Sequence, residues 1–153
     1  MHTLFRLFLF VILSQISSVV NAAPFAYITN FDSDTVSVID TVSNTVVDTI
    51  PVTGKPYGVA TSSDGKRVYI GSLGSGTLST IDAVNNTLIG TAVTVGSLPI
   101  GVAITPDNSR VYVANFGSDT VSVVDTASNP VSGSRYFCES LFWASQPKQA
   151  AKT

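Results

Sequence analysis

The stretch YVANFGSDTVSVVDT, residues 112–126, closely repeats an earlier segment, YITNFDSDTVSVIDT, residues 27–41. A weaker copy, YIGSLGSGTLSTIDA, occupies residues 69–83. A tyrosine begins each copy and an aspartate closes its last strand, at spacings of 42 and 43 residues: Tyr27, Tyr69 and Tyr112, and Asp40, Asp82 and Asp125. Recurrence at one period indicates a repeat architecture, in which each copy is one supersecondary unit.

The residues between the copies also repeat. PYGVA around Gly58 matches PIGVA around Gly101, and the turn at Asp64 matches the turn at Asp107. We place the one-residue difference in period between residues 96 and 99. Each repeat offers four strand-sized segments, which in the second repeat are GVAT, RVYIGS, TLSTID and TLIGTAVTV, the last at residues 87–95. Segments such as TVSVID alternate between polar and apolar residues, as two-faced strands do.

Four short antiparallel strands in about 42 residues predict one blade of a β-propeller. Within residues 23–131 we assign a partial blade at 25–53, a blade at 54–96 and a partial blade at 97–131. The first lacks its innermost strand and the third loses the pattern after Asn129, which leaves about ten strands. The predicted fold class is all-β, a partial propeller, because closed rings have about 4 to 8 blades.

The repeated residues also resemble a known family. YITN, YIGS and YVAN, each followed by DTVSVID or a variant and then by PYGVA or PIGVA, resemble the YVTN β-propeller repeat of exported bacterial and archaeal proteins. The second copy departs from that pattern at Gly71 and Ser72. At the position of Ser72 the other two copies have an asparagine, Asn30 or Asn115. The resemblance implies a propeller and export, and no single activity. We expect the two asparagines to line one rim.

The first 22 residues have the layout of a secretory signal peptide. Arg6 precedes the apolar run 7–13, and small residues at 20–22 fit a cleavage site. The apolar run is short for a membrane span, which needs about 20 residues, although an uncleaved anchor is the alternative. We therefore expect export to the periplasm, cell surface or medium, with no stable membrane span after cleavage.

Charge and residue types exclude several function classes. Nine Asp outnumber four Lys or Arg between residues 25 and 131, so nucleic acid is disfavoured as a partner. The one histidine is His2, inside the signal peptide, which excludes a Ser-His-Asp triad and imidazole ligation of a metal after cleavage. We therefore predict no catalytic, cofactor-binding or metal-binding residues, and no enzyme.

The recurring aspartates have two possible interpretations. The carboxylates at the strand ends could form a ring that binds cations, or each could accept backbone N–H bonds in an Asx turn; the recurrence at one turn of every repeat favours the second. The same choice applies to Asp64 and Asp107. The tyrosines are expected to pack between blades with their hydroxyls at the edge.

Residues 132–153 share nothing with the repeat and are expected to be a poorly ordered tail. Two interpretations are open: these residues result from a truncation or frame change in a longer propeller gene, or they cover an exposed edge of the sheet. Cys138 is the only cysteine, so it is either incidental or forms an intermolecular bridge.

Three hypotheses for function follow. The first is an exported binding scaffold at the cell envelope, whose partner is an unknown protein or envelope ligand. The second is a fragment of a longer propeller enzyme, lactonase-like or a quinone- or metal-dependent oxidoreductase. The third is a degenerate product without activity. Self-association through exposed blade edges is a further expectation, and two copies would supply about 20 strands, close to a five-blade ring.

Overall fold

A computed structural model describes residues 25–127, and residues 134–137 by their backbone alone. The predicted signal peptide and most of the tail, including Cys138, lie outside these residues. The described strands are β1 (Phe25–Asn30), β2 (Thr35–Asp40), β3 (Thr45–Pro51), β4 (Pro56–Thr61), β5 (Arg67–Ser72), β6 (Thr77–Asp82), β7 (Thr87–Leu88), β8 (Val93–Thr94), β9 (Pro99–Ile104), β10 (Arg110–Asn115), β11 (Thr120–Asp125) and β12 (Ser134–Phe137). A 3-10 turn spans Phe116–Ser118. No helix in the described part is long and apolar enough to cross a membrane.

Each repeat forms its own antiparallel sheet, in which consecutive strands are neighbours. Blade one is β1-β2-β3, blade two is β4-β5-β6 with β7 and β8 both paired to β6, and blade three is β9-β10-β11-β12. The hairpins share one register, since Tyr27 pairs with Val38 and Tyr112 pairs with Val123. The predicted all-β class with antiparallel blades is therefore confirmed.

The blades stack face to face, and their alternating residues form two cores. The forward face of each blade is the face that carries its repeated tyrosine, and the back face is the opposite one. Between blades one and two, the buried residues are Tyr27, Val36, Val38, Ile50 and Val52 with Val68, Ile70, Ile81 and Ala83. Between blades two and three, they are Tyr69, Leu78 and Val95 with Val111, Val113 and Val124. Each interface thus joins a forward face to the back face of the next blade.

The position of the extra residue differs from the sequence assignment. Lys55 and Leu98 both have a left-handed backbone, with φ of 58° and 50°. Both carbonyls accept a bond at 2.9 Å, Lys55 from the Leu73 N–H and Leu98 from the Phe116 N–H. These two residues are therefore equivalent, at a spacing of 43. The extra residue lies earlier, in the fourth strand of blade two, and not between residues 96 and 99.

That fourth strand is split where the extra residue is accommodated. The sequence predicts one strand from Thr87 to Val95, but the structure has the two short pieces β7 and β8. Between them Gly90 has a φ of 61°, which an L side chain rarely adopts. The ladder resumes when Val93 pairs with Leu78. Blade two absorbs the longer repeat locally, so its other strands keep their register.

Blade three has a fourth strand that the repeat pattern does not reveal. Ser134–Phe137, the only described residues of the tail assigned to 132–153, form β12 and pair with β11 from Thr120 to Val123. Backbone N–H and C=O groups make this ladder, so it does not require the side-chain pattern of the other repeats. The fourth strand of this sheet therefore comes from non-repeat sequence.

The glycine of PYGVA permits a close approach between the innermost strands. A Cβ at Gly58 would lie 2.8 Å from the carbonyl oxygen of Ile100 on β9. At the equivalent Gly101 the nearest atom is the Ala114 Cβ, 3.4 Å away in the same blade. Among the described residues, only Gly58 of this pair has a strand of the next blade against it.

Candidate functional site

One end of the blades carries the recurring aspartates, and we call it the aspartate rim. The Asp40 carboxylate accepts the N–H groups of Val42 and Ser43 at 2.7 and 3.1 Å. Asp82 accepts the Val84 N–H at 2.8 Å, and Asp125 accepts the Ala127 N–H at 2.9 Å. Each carboxylate therefore closes an Asx turn after its strand.

The turns between the first two strands of blades two and three lie on the same rim. The Asp64 carboxylate accepts the Ser62 hydroxyl at 2.6 Å and the Lys66 N–H at 3.1 Å. Hydrogen bonds from the Ser62 side chain and the Lys66 backbone hold the pKa of Asp64 below its ordinary value. The pKa of Asp82 is also lowered, chiefly by its bond from the Asn85 side chain.

The pKa of Asp107 is lowered further than those of Asp64 and Asp82. Asp107 accepts the Ser109 N–H at 3.0 Å and the Ser109 hydroxyl at 2.8 Å. Hydrogen bonds from the side chain of Thr105, and then from the backbone and side chain of Ser109, lower the pKa of Asp107 to about 2. In the described part of the chain, no three His, Cys, Asp or Glu side chains come together as a possible metal site. Each aspartate of the aspartate rim lies at a different turn.

The three tyrosines occupy one position but differ in exposure. Tyr27 is buried between blades one and two, and its hydroxyl donates to the Asn86 side-chain oxygen at 3.1 Å or to the Ala83 carbonyl at 3.4 Å. Burial, and then the negative charges of two aspartates, raises the pKa of Tyr27. Tyr69 is buried against blade three, whereas Tyr112 is 37% exposed because no described blade follows it.

The two asparagines clamp their own hairpins. The Asn30 amide donates to the Thr35 and Ser37 hydroxyls at 3.0 and 2.8 Å. The Asn115 amide donates in the same way to Thr120 and Ser122, at 3.1 and 2.9 Å. Asn115 is 2% exposed and lies between blades, so the prediction that it lines a rim is wrong. The buried position leaves its side chain unavailable to a ligand.

Blade two has no such clamp at the equivalent position. The Ser72 hydroxyl is buried and has no hydrogen-bond partner among the described residues. The departure from the repeat at Ser72 therefore removes the contact that Asn30 and Asn115 make. The blade-three clamp also needs space in the blade before it, because a Cβ at Gly96 would lie 2.5 Å from the Asn115 Cγ.

The other end of the blades is fixed by hydrogen bonds from backbone N–H groups. The connection between blades one and two is held on one side by the Asp34 carboxylate, which accepts the Lys55 N–H at 2.7 Å. On the other side, the Gly54 carbonyl accepts the Gly74 N–H at 2.8 Å. The next connection repeats this, with the Ser97 carbonyl accepting the Gly117 N–H at 3.0 Å. The loops of adjacent blades therefore form one continuous rim.

Large apolar side chains lie at this second end, most of them at equivalent positions of successive repeats. We call these residues the apolar rim: Phe31, Leu73 and Phe116 in the turns, Leu98 in a connection, and Tyr57 and Ile100 on the innermost strands. Phe116 is 67% exposed and Tyr57 is 56% exposed, and Leu98 and Ile100 are also exposed. Sequence reasoning missed this set, although the apolar residue in the same turn of all three copies was a visible signal.

An aromatic pair and a cation lie on the apolar rim where blade one meets blade two. The Phe31 and Tyr57 rings meet edge to face, with centroids 6.4 Å apart at 85°. The Lys55 Nζ lies 5.2 Å from the Phe31 ring centroid, in cation–π distance. The rings hold each other in place, which lowers the entropy that a partner must remove on binding.

Comparison with known proteins supports the propeller fold. None of the known family profiles matches the chain, and no curated protein matches it. Among solved structures, Kuenenia stuttgartiensis hydrazine synthase is 28% identical, with a TM-score of 0.65 over 67% of this chain. The dihydro-heme d1 dehydrogenase NirN, in a complex with DHE, is 19% identical, with a TM-score of 0.60 over 69% of this chain. Both neighbours are β-propeller proteins.

A third neighbour, a functionally unknown protein from Desulfotomaculum acetoxidans DSM 771, is 23% identical, with a TM-score of 0.61 over 76% of this chain. The chain spans 30%, 22% and 38% of the lengths of hydrazine synthase, NirN and this third protein. These likenesses concern the fold, and they extend over a minor part of each neighbour.

Proposed function

We propose that the chain is a non-enzymatic binding module and that the apolar rim is its partner-binding surface. The observation that carries this proposal is the exposure of Tyr57 and Phe116, at 56% and 67%, on a rim held by backbone hydrogen bonds. Contiguous exposed apolar surface marks an interaction site, and aromatic residues are enriched in the cores of such interfaces.

The partner we propose is a protein at the cell envelope. Exposed aromatic and aliphatic side chains bury apolar area when they bind a protein surface. Lys55, beside Phe31, adds one cation that would favour an acidic group at the edge of the contact. The signal-peptide pattern before residue 23 supports export, and the resemblance to the YVTN repeat supports membership of that family of exported propellers.

Part of a longer propeller enzyme is the second candidate function. Its support is that the chain spans 30% and 22% of two neighbours whose names are those of enzymes, hydrazine synthase and a dehydrogenase. In that case the described blades would serve as scaffold, and catalytic groups would belong to other parts of the longer protein.

Saturable binding to isolated cell envelopes tests the binding module. The wild-type chain, fluorescently labelled, is expected to bind saturably, and protease treatment of the envelopes should abolish that binding. The double variant Tyr57→Ala/Phe116→Ala should bind about ten-fold more weakly or worse, because truncated aromatic anchors cost more than about 1.4 kcal/mol. Neither side chain is buried, so this double variant should remain folded.

The matched control truncates two exposed apolar residues at the other end of the blades. Val42 and Val84 lie in turns of the aspartate rim and are 78% and 75% exposed. Val42→Ala/Val84→Ala should bind envelopes like the wild type. Equal losses in both double variants, or no saturable binding of the wild type, would contradict the proposal and leave the enzyme scaffold as the better candidate.

A further inference from the structure

The two outer faces of the three-blade stack are the two halves of an interface that the molecule already makes twice. On the forward faces, Tyr112 of blade three is 37% exposed, whereas the equivalent Tyr27 and Tyr69 are 7% and 3% exposed. On the back faces, Ile28 of blade one is 48% exposed, whereas the equivalent Ile70 and Val113 are fully buried. The repeat thus places core side chains on both outer faces.

The polar contacts of the inner interfaces also have equivalents on the outer faces. The Tyr27 hydroxyl donates to Asn86 of the next blade at 3.1 Å. The residue equivalent to Asn86 in blade one is Asn44, which shares its left-handed backbone, with φ of 54° in both. The outer tyrosine and the outer asparagine therefore belong to complementary halves of one contact.

A second, cationic contact follows the same pattern. The Arg67 guanidinium of blade two donates to the Thr126 carbonyl of blade three at 3.0 Å. Arg110 is the equivalent arginine of blade three and belongs to the outer, forward-facing sheet. Apolar, hydroxyl and guanidinium groups of the inner interfaces therefore all recur at the outer faces.

We propose that the forward face of blade three binds the back face of blade one in a second copy of this chain. In this contact Tyr112 takes the place of Tyr27, its hydroxyl donates to Asn44 of the second copy, and Ile28 of the second copy is buried as Ile70 is. The contact is heterologous, and two copies that each contribute both faces bring six sheets together, within the range of about 4 to 8 blades at which propellers close. This inference does not depend on the apolar rim.

The first test is the molar mass of the full chain by light scattering with a reducing agent present, which removes any bridge through Cys138. The wild type is expected to be a dimer. Ile28→Asp and Tyr112→Asp should each be monomeric at the same concentration, because each buries a carboxylate in the contact. Val84→Asp changes a residue of the aspartate rim that is 75% exposed and should leave the dimer intact. Far-UV circular dichroism of each variant is expected to match the wild type.

The decisive test mixes the two monomeric variants. A dimer of Ile28→Asp with Tyr112→Asp contains one contact in which both residues are wild type, so mixing should restore dimers that neither variant forms alone. Pairing through exposed strand edges would show no such complementation, since it does not join these two residues. A wild-type chain that is monomeric or polydisperse, variants that stay dimeric, or a mixture that stays monomeric would each overturn the proposal.

Discussion

Asn115 occupies the space that a side chain on Gly96 would need, because a Cβ there would lie 2.5 Å from the Asn115 Cγ. The equivalent pair one repeat earlier is Thr53 and Ser72, with a larger residue on the first blade and a smaller one on the second. At one interface the smaller residue of the pair, Gly96, lies on the first blade. At the other interface the smaller residue, Ser72, lies on the second blade.

This exchange predicts a double-mutant cycle. Gly96→Thr alone should destabilise the fold by about 1–3 kcal/mol through overpacking. Asn115→Ser alone should cost about 1–2 kcal/mol, because the Thr120 and Ser122 hydroxyls lose their donor. The double variant recreates the Thr53/Ser72 pair and should be more stable than Gly96→Thr, as measured by denaturant unfolding. A double variant whose loss equals the sum of the single losses would contradict this relation.

The two glycines of the innermost strands are expected to differ in how much an alanine substitution lowers the stability of the fold. Gly58→Ala should destabilise the fold by about 1–3 kcal/mol, because its Cβ would lie 2.8 Å from a carbonyl oxygen that belongs to backbone. Gly101→Ala places a Cβ 3.4 Å from the Ala114 Cβ, an ordinary contact, and should change stability by less than about 0.5 kcal/mol. Chemical denaturation of both variants checks this, and equal losses would show that blades two and three do not differ as described.

Removing one hydroxyl tests the contact between blades one and two. Tyr27→Phe loses the bond to Asn86 and should cost about 1 kcal/mol, which lowers the Tm by about 4–8 °C in a domain of this size. Tyr57→Phe, an exposed tyrosine on the apolar rim, is the matched control and should leave the Tm unchanged. A Tyr27→Phe variant with the Tm of the wild type would show that this hydroxyl does not join the blades.

Acid titration tests the hydrogen bonds at Asp107. The pKa of this carboxyl is lowered from 3.8 to about 2, so its stabilising contribution is present above pH 3.8 and is lost as the pH falls through about 2. Carboxyl-carbon NMR should therefore show a midpoint near 2. Thr105→Val removes the largest cause and should raise that midpoint towards 3.8, while Asp64, held by its own Ser62, should titrate as in the wild type. An unchanged Asp107 midpoint would contradict the assigned cause.

Much of the fold could be predicted from the repeat because its strands are two-faced and end at recurring turns. RVYIGS and TLSTID, taken from the sequence as strands, coincide with β5 and β6. The fourth strands were harder to predict. β12 forms by backbone pairing and lacks the repeat pattern. The split at Gly90 follows from the extra residue in that strand, which is located by the equivalent hydrogen bonds of Lys55 and Leu98.

The candidate site could not be predicted in the same way, because exposure and not residue type defines it. The asparagines were conspicuous in the sequence, but Asn115 is buried as a hairpin clamp. Phe116 is an apolar residue in a turn, which sequence alone does not distinguish from a packed one. Its exposure follows from the position of the turn at the end of the blade, which required the folded chain.

The most direct test of the proposed function places a photo-crosslinking amino acid on each rim in turn and irradiates the protein with cell envelopes. At Tyr57, on the apolar rim, we expect a discrete adduct that protease treatment of the envelopes removes. At Val84, exposed on the aspartate rim, the same treatment should give no such adduct. An identical pattern at both positions, or no adduct at Tyr57, would contradict the assignment of the apolar rim as the partner-binding surface.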